Sequence, residues 1–266
     1  MNNGLGQGMR FFFLAALIAT LAQPVRAQMI GSDPVVQPFC AVYKNPALKA
    51  AAELMCDGRL LRTFAGFANE KIAFTKMLPM IAVECGEPSA FFDRTKGTIF
   101  VCYELGKEVL ERIARDAGSG ASAQPQFAAG AFFFLFAHEL GHAAINLHRL
   151  PVQGREEDAA DQIATLLLTD IADKNREAAP SWASGAHWLF SNRRLFYAAG
   201  HFPAELPPDP QRQLDLACWI HGSDPARYAA LAQDAKLPVA RVRGCPGEFQ
   251  KIANEARQML SAHLKR

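Results

Sequence analysis

The sequence predicts an α+β fold, with its strands in the first half and helices filling the second. Segments rich in Ile, Val, Phe and Thr, "MIAVEC" and "GTIFVC", lie before residue 103. Long stretches with helical start signals and helical spacing follow from Pro125 onward. Strands and helices do not alternate along the chain, which argues against a Rossmann-like sheet, and there is no internal repeat.

The first residues form a processing segment. Arg10 precedes the apolar run "FFFLAALIATLA", and "QPVRAQ" offers the small residues a signal peptidase reads. The apolar part is short for a bilayer span. Cleavage is expected after Ala27, leaving residues 28–266 as one domain, mixed to about residue 150 and helical beyond. No cysteine follows the apolar run, so a lipid anchor is not expected, nor is a later membrane span. The mature protein should be periplasmic or secreted.

Half of the residues are hydrophobic and 20% are charged, enough for a packed core. The net charge of +2 comes from Arg10 and Arg26; without the leader, 26 basic residues face 26 acidic ones. No basic face is implied, so nucleic acid and anionic membranes are poor partner candidates. Six cysteines in an exported chain read as disulfides, and none lies in a C-x-x-C pair. The expected pairs are sequence neighbours: Cys40–Cys56, Cys85–Cys102 and Cys218–Cys245. The middle pair has the strongest argument, because "DRTKG" would fold "MIAVEC" and "GTIFVC" into an antiparallel hairpin with the two cysteines opposed.

Taken in order, "NPALKAAAELM" starts a helix, with Asn45 as cap and Pro46 in the first turn. Helical spacing continues through "RLLRTFAGFANEKIAFTKML". After the hairpin, "YELGKEVLERIARDA" reads as a helix and "GSGASAQPQ" as a loop. A central helix is expected over about Pro125–His148 and another over "REEDAADQIATLLLTDIADKN". Pro180 starts a helix in "SWASGAHWLFSNRRLFYAAG". "HFPAELPPDP" is a loop whose Asp209 caps the next helix at Pro210. "SDPARYAALAQD" and "PGEFQKIANEARQMLSAHLKR" complete the chain.

The chemistry concentrates in "FFFLFAHELGHAAINLHRLPVQGREEDAAD". Residues four apart share a helix face, so His138 and His142 project together with Glu139 beside them. Their surroundings are apolar, and burying ionisable groups costs several kcal/mol unless they are paired or coordinated. H-E-x-x-H is a zinc-hydrolase pattern: two imidazole ligands and a glutamate acting as general base on zinc-bound water. Gly141 permits close approach to that helix.

Catalytic zinc usually takes a third protein ligand. His148 has the spacing of H-E-x-x-H-x-x-G-x-x-H enzymes, but Ile145 replaces the glycine and no Met-turn follows. Glu157 is the better candidate, because Asp161 one turn later can hold a ligand histidine in the right tautomer. Glu156 and Asp158 remain alternatives, since acids also complement a helix N-terminus. For the donor that stabilises developing negative charge, His201 comes first, ahead of Tyr197, His187 and His221. Trp182, Trp188, Phe190 and Phe196 are expected in the core.

"HELGH" followed by "GREEDAAD" resembles the glutamate-liganded zincins. More closely, the chain is similar to a bacterial family of metallopeptidases known mainly as a domain of unknown function. The pieces that carry this resemblance are "FVCYEL", "FAHELGH", "GREEDAADQIAT", Gln211–Arg212 and "CWIHGSDP". The resemblance implies a zincin-like fold, zinc as cofactor, His138, His142 and Glu157 as ligands and Glu139 as base. Relatives carry a histidine just before the "QR" segment; here "PAELPPDP" has none. The function expected is a zinc-dependent peptide hydrolase of the cell envelope. A zinc amidase acting on cell-wall peptide and a non-catalytic binding protein are the alternatives. In zincins a sheet edge beside the active helix can take an extended peptide as an added strand, and "GTIFVCYEL" or "MIAVEC" could supply it here.

Overall fold

Strand β2 (Leu78–Val83) buries Leu78, Met80 and Ala82 and leaves Pro79, Ile81 and Val83 half-exposed, the period of a sheet covered on one face. It belongs to a computed structural model that describes residues 35–57, 59–116, 125–191 and 210–265. The leader, the "GSGASAQ" loop and residues 192–209, with Tyr197 and His201, lie outside the described residues. Strands β1 (Val36–Cys40), β3 (Ala90–Asp93) and β4 (Thr98–Cys102) complete a sheet of order β1-β2-β4-β3.

The sheet corrects the expected hairpin. β2 runs parallel to both β1 and β4, and only β3 is antiparallel, so the sheet is mixed. The "DRTKG" turn joins β3 to β4. "AFFD" forms a strand of its own because it alternates between buried Ala90 and Phe92 and half-exposed Phe91 and Asp93. Asp93 then accepts from the N–H groups of Thr95 and Lys96, and Gly97 takes a positive φ of 60° to close the turn. Cys85 and Cys102 still meet, because parallel pairing sets Val83 opposite Cys102. The disulfides are Cys85–Cys102, Cys40–Cys56 and Cys218–Cys245, and among the described residues no cysteine is free.

Sequence reasoning missed β1, because "VQPFC" contains a proline. It is an edge strand. Leu78 donates to the Val35 carbonyl and Ala41 donates to that of Ala82, so odd residues face β2 and Pro38 turns its missing N–H outward. Asn69 occupies the same outer edge, accepting from the Val36 N–H at 2.7 Å and donating to its carbonyl at 2.9 Å. An amide side chain thus blunts a sheet edge.

Asn45 caps a short 3₁₀ turn at Pro46–Leu48 that leads into α1 (Lys49–Ala52) and a single π turn, Glu53–Asp57. Helix α2 (Leu60–Lys71) ends before the expected Leu78. Ile72 pairs with Leu264, and Ala73 donates to the His263 carbonyl, so pairing with the C-terminal tail overrides helical spacing. Then come α3 (Tyr103–Asp116), α4 (Pro125–His148), α5 (Glu156–Lys174), α6 (Ala179–Ser191), α7 (Pro210–Ser223), α8 (Ala229–Asp234) and α9 (Val239–Leu260). Helix α8 is shorter than expected. Helix α9 begins seven residues before Pro246, which lies inside it. The Cys245 disulfide and the close pass of Gly222, where a Cβ would lie 2.1 Å from the Cys245 carbonyl oxygen, hold that turn against α7.

Helix α4 is apolar on every side, as a helix must be when neighbours surround it. Phe132, Phe134 and Phe136 are fully buried. By length and composition it could cross a membrane, contrary to the expectation that no later segment could, yet 83% of its most apolar window is buried inside the protein. Burial accounts for its apolarity.

Helices α4 and α6 touch through paired glycines. A Cβ on Gly130 would lie 2.2 Å from the Trp182 carbonyl oxygen, and one on Gly185 would lie 2.0 Å from that of Phe127. Both obstacles are backbone, so no rotamer change relieves them. Gly130→Ala is expected to cost about 3 kcal/mol, the upper end of ordinary overpacking. Thermal unfolding checks this, and an unchanged melting temperature would contradict the crossing.

Candidate metal centre

Helix α4 presents His138 and His142 one turn apart, with His138, Glu139 and His142 all buried. Helix α5 brings its acids to them because Gly141 faces Ala160. A Cβ at Gly141 would lie 3.0 Å from the Ala160 Cα. Three acids occupy the first turn of α5, where the helix dipole favours negative charge.

The imidazole Nε2 atoms of His138 and His142 are 3.1 Å apart. Glu157 places Oε2 3.4 Å from His138 Nε2 and Oε1 3.3 Å from His142 Nε2. Ligand atoms of these three residues all lie within 4.8 Å of one another, so the group could hold a metal ion. Cys85, Cys102 and Glu104 also cluster, but both sulfurs are committed to a disulfide.

Each histidine is backed on its other nitrogen. His138 Nδ1 is 2.8 Å from Asp161 Oδ1, and His142 Nδ1 is 2.8 Å from Glu156 Oε1. Ionised carboxylates only accept, so both Nδ1 atoms carry the protons and both Nε2 atoms face the third carboxylate. Each backing acid meets an arginine. Arg212 Nε donates to Asp161 at 2.7 Å, and Arg94 donates to Glu156 at 2.6 Å. Arg212 also places Nη2 3.3 Å from Glu157 Oε2.

Glu139 points toward the sheet. Cys102 donates to the Ser89 carbonyl, so odd residues of β3 face β4 and even ones face outward; Phe92 donates its outward N–H to Glu139 Oε2 at 2.8 Å. The sheet edge beside the helix that carries His138 and His142 is therefore β3. Strands β2 and β4, which hold "MIAVEC" and "GTIFVC", are interior and offer no edge.

Charges at the site are strongly coupled. Burial opposes charge on His138, but Asp161 and Glu157 outweigh it and raise its pKa from 6.5 to about 10. His142 is raised in the same way, against its burial, by Glu156 and Glu157. Burial alone would raise Glu157 and Asp161. The histidines beside Glu157, and Arg212 with His138 beside Asp161, hold both well below the usual carboxylate range. Glu139 goes the other way: burial raises it, only partly countered by the histidines and the Phe92 N–H. A carboxyl raised by burial suits proton transfer near neutral pH.

A histidine raised from 6.5 to about 10 contributes stability that is complete below about 6.5 and is lost as pH climbs through 10. The chelator-treated protein should therefore show a falling melting temperature across that interval. A flat or rising profile would contradict this electrostatic picture.

The other candidates fall elsewhere. Asp158 pairs with Arg155 at 2.7 Å. His148 ends α4 and stacks on His263 with ring centres 3.7 Å apart. Helix α4 stays regular through Ile145, which turns His148 away from the pair. His221 Nδ1 lies 3.2 Å from the Tyr228 carbonyl, whereas His187 is buried in α6 with Nε2 unpartnered among the described residues. Sequence reasoning missed Glu156 as the partner of His142, together with Arg94, Arg212 and the Phe92 N–H. Arg212 is 51 positions from Asp161 and Arg94 is 62 from Glu156, so no local spacing announces either.

Residues 42–260 match the model of a protein family described as "Putative metallopeptidase". The chain belongs to that family. No curated protein and no solved structure matches it. Membership suggests peptidase activity and implies a metal, and the three disulfides fit an exported protein.

Proposed function

We propose that the protein is a zinc-dependent peptide hydrolase of the cell envelope, with a zincin-like arrangement of one domain left after cleavage at Ala27. The observation that carries this reading is the convergence of two buried imidazole Nε2 atoms and the Glu157 carboxylate within 4.8 Å, with Glu139 next to them.

The donor set suits a divalent cation. With both histidines neutral, as ligation requires, Glu139, Glu156, Glu157 and Asp161 when ionised outnumber the Arg94 and Arg212 guanidiniums by two, the charge that the raised histidines otherwise supply as protons. The two imidazole Nε2 atoms, 3.1 Å apart, take a positive charge between them, which a proton on the raised histidines or a metal ion can supply. Two nitrogens and one carboxylate oxygen are the donors of a His₂Glu catalytic zinc site.

His138, His142 and Glu157 would hold the ion, with Asp161 and Glu156 fixing the ring orientations. When bound, zinc would lower the pKa of a water toward neutrality and polarise the scissile carbonyl. Glu139 takes the water proton on its carboxylate and returns it to the departing amine. The Phe92 N–H keeps that carboxylate at the foot of β3. An extended peptide can lie along this edge, using outward groups of β3 other than the N–H already given to Glu139.

Cleavage of a mixed peptide library, run beside peptidoglycan fragments and a Glu139→Gln control, tests the reading. Peptide cleavage lost in the control supports it. Cleavage confined to peptidoglycan would favour the amidase, and no turnover with metal retained would favour a binding protein.

A further inference from the structure

Arg212 is a positive charge with its side chain only 5% exposed, and it comes from α7 rather than from either helix that supplies the candidate ligands. A buried guanidinium is tolerated only against well-placed acceptors. Here its planar fork reaches two acids one turn apart on α5: Nε lies 2.7 Å from Asp161 Oδ2, and Nη2 lies 3.3 Å from Glu157 Oε2. The other oxygen of Asp161 holds His138, so a single guanidinium fixes both the acid that orients one histidine and the carboxylate that faces both. Lysine, with one compact charge, cannot span two acceptors in this way.

The two oxygens of Glu157 are thereby made unequal. Oε2 is shared between Arg212 Nη2 at 3.3 Å and His138 Nε2 at 3.4 Å, whereas Oε1 lies 3.3 Å from His142 Nε2. We infer that Arg212 is a positioning residue that makes Glu157 a one-oxygen ligand, which keeps a coordination position open for water and substrate. This inference rests on the metal-centre reading above.

The test compares wild type with Arg212→Lys after exchange into cobalt, whose visible absorption weakens as coordination number rises. Arg212→Lys keeps the charge and is expected to fold, as thermal unfolding will report. It should bind cobalt about 10- to 100-fold more weakly, the usual cost of losing a ligand's hydrogen-bond partner. Its absorption should also be weaker at saturating metal, as the released carboxylate binds through both oxygens. An absorption band identical to wild type would overturn the role of Arg212 and leave the metal centre standing. Failure of wild type to take up any cobalt would overturn both. If Arg212→Lys does not fold, Arg212→Gln is read by the same criteria. If neither folds, Arg212 is a folding residue and the inference fails.

Discussion

Glu139→Gln is expected to remove turnover while leaving the metal in place. Glutamine has the shape of glutamate and keeps an oxygen to accept from the Phe92 N–H, so the local packing survives. It cannot take a proton from water. General-base contributions are typically about 10²–10⁴-fold, and the loss in peptide cleavage should be at least of that order. Metal content should stay equal to wild type, because Glu139 is not among the three converging donors. A glutamine variant that cleaves at the wild-type rate would remove Glu139 from the chemistry.

Glu157→Ala has the opposite signature: metal is lost and activity falls with it. The substitution takes away the one carboxylate that approaches both Nε2 atoms, at 3.4 and 3.3 Å. It also removes one of the acids opposite Arg212, which leaves more positive charge where a cation should sit. The drop in affinity should exceed the roughly 10- to 100-fold that loss of a ligand's hydrogen-bond partner costs. Dialysis against a buffered metal followed by elemental analysis measures it. Stoichiometric metal in the variant would move the third ligand elsewhere, with Glu156 next in line because it already touches His142.

The parts of the fold legible in the sequence are those fixed by local periodicity. Helix α4 has the predicted ends, Pro125 and His148, because its boundaries depend on proline, an apolar run and a helix-end histidine. His138, His142, Glu157 and Asp161 could be brought together on paper because each pair lies one turn apart on a single helix. Strand pairing was not legible. "MIAVEC" and "GTIFVC" are strands, but their partners depend on β3, a four-residue strand too short to stand out from its turn. β1 was hidden by Pro38, tolerated only because it faces an edge. The arginines behind the site were invisible for a related reason: contacts across 51 and 62 residues exist only once the helices pack. Glu156 was legible as an acid but not in its role, since one residue along a helix rotates a side chain by about 100°.

Metal content of the purified mature protein tests the central claim most directly. Elemental analysis is expected to find one zinc per chain, removable by chelator and restored by added zinc. Protein that carries no metal, and takes up none when it is offered, would contradict the account.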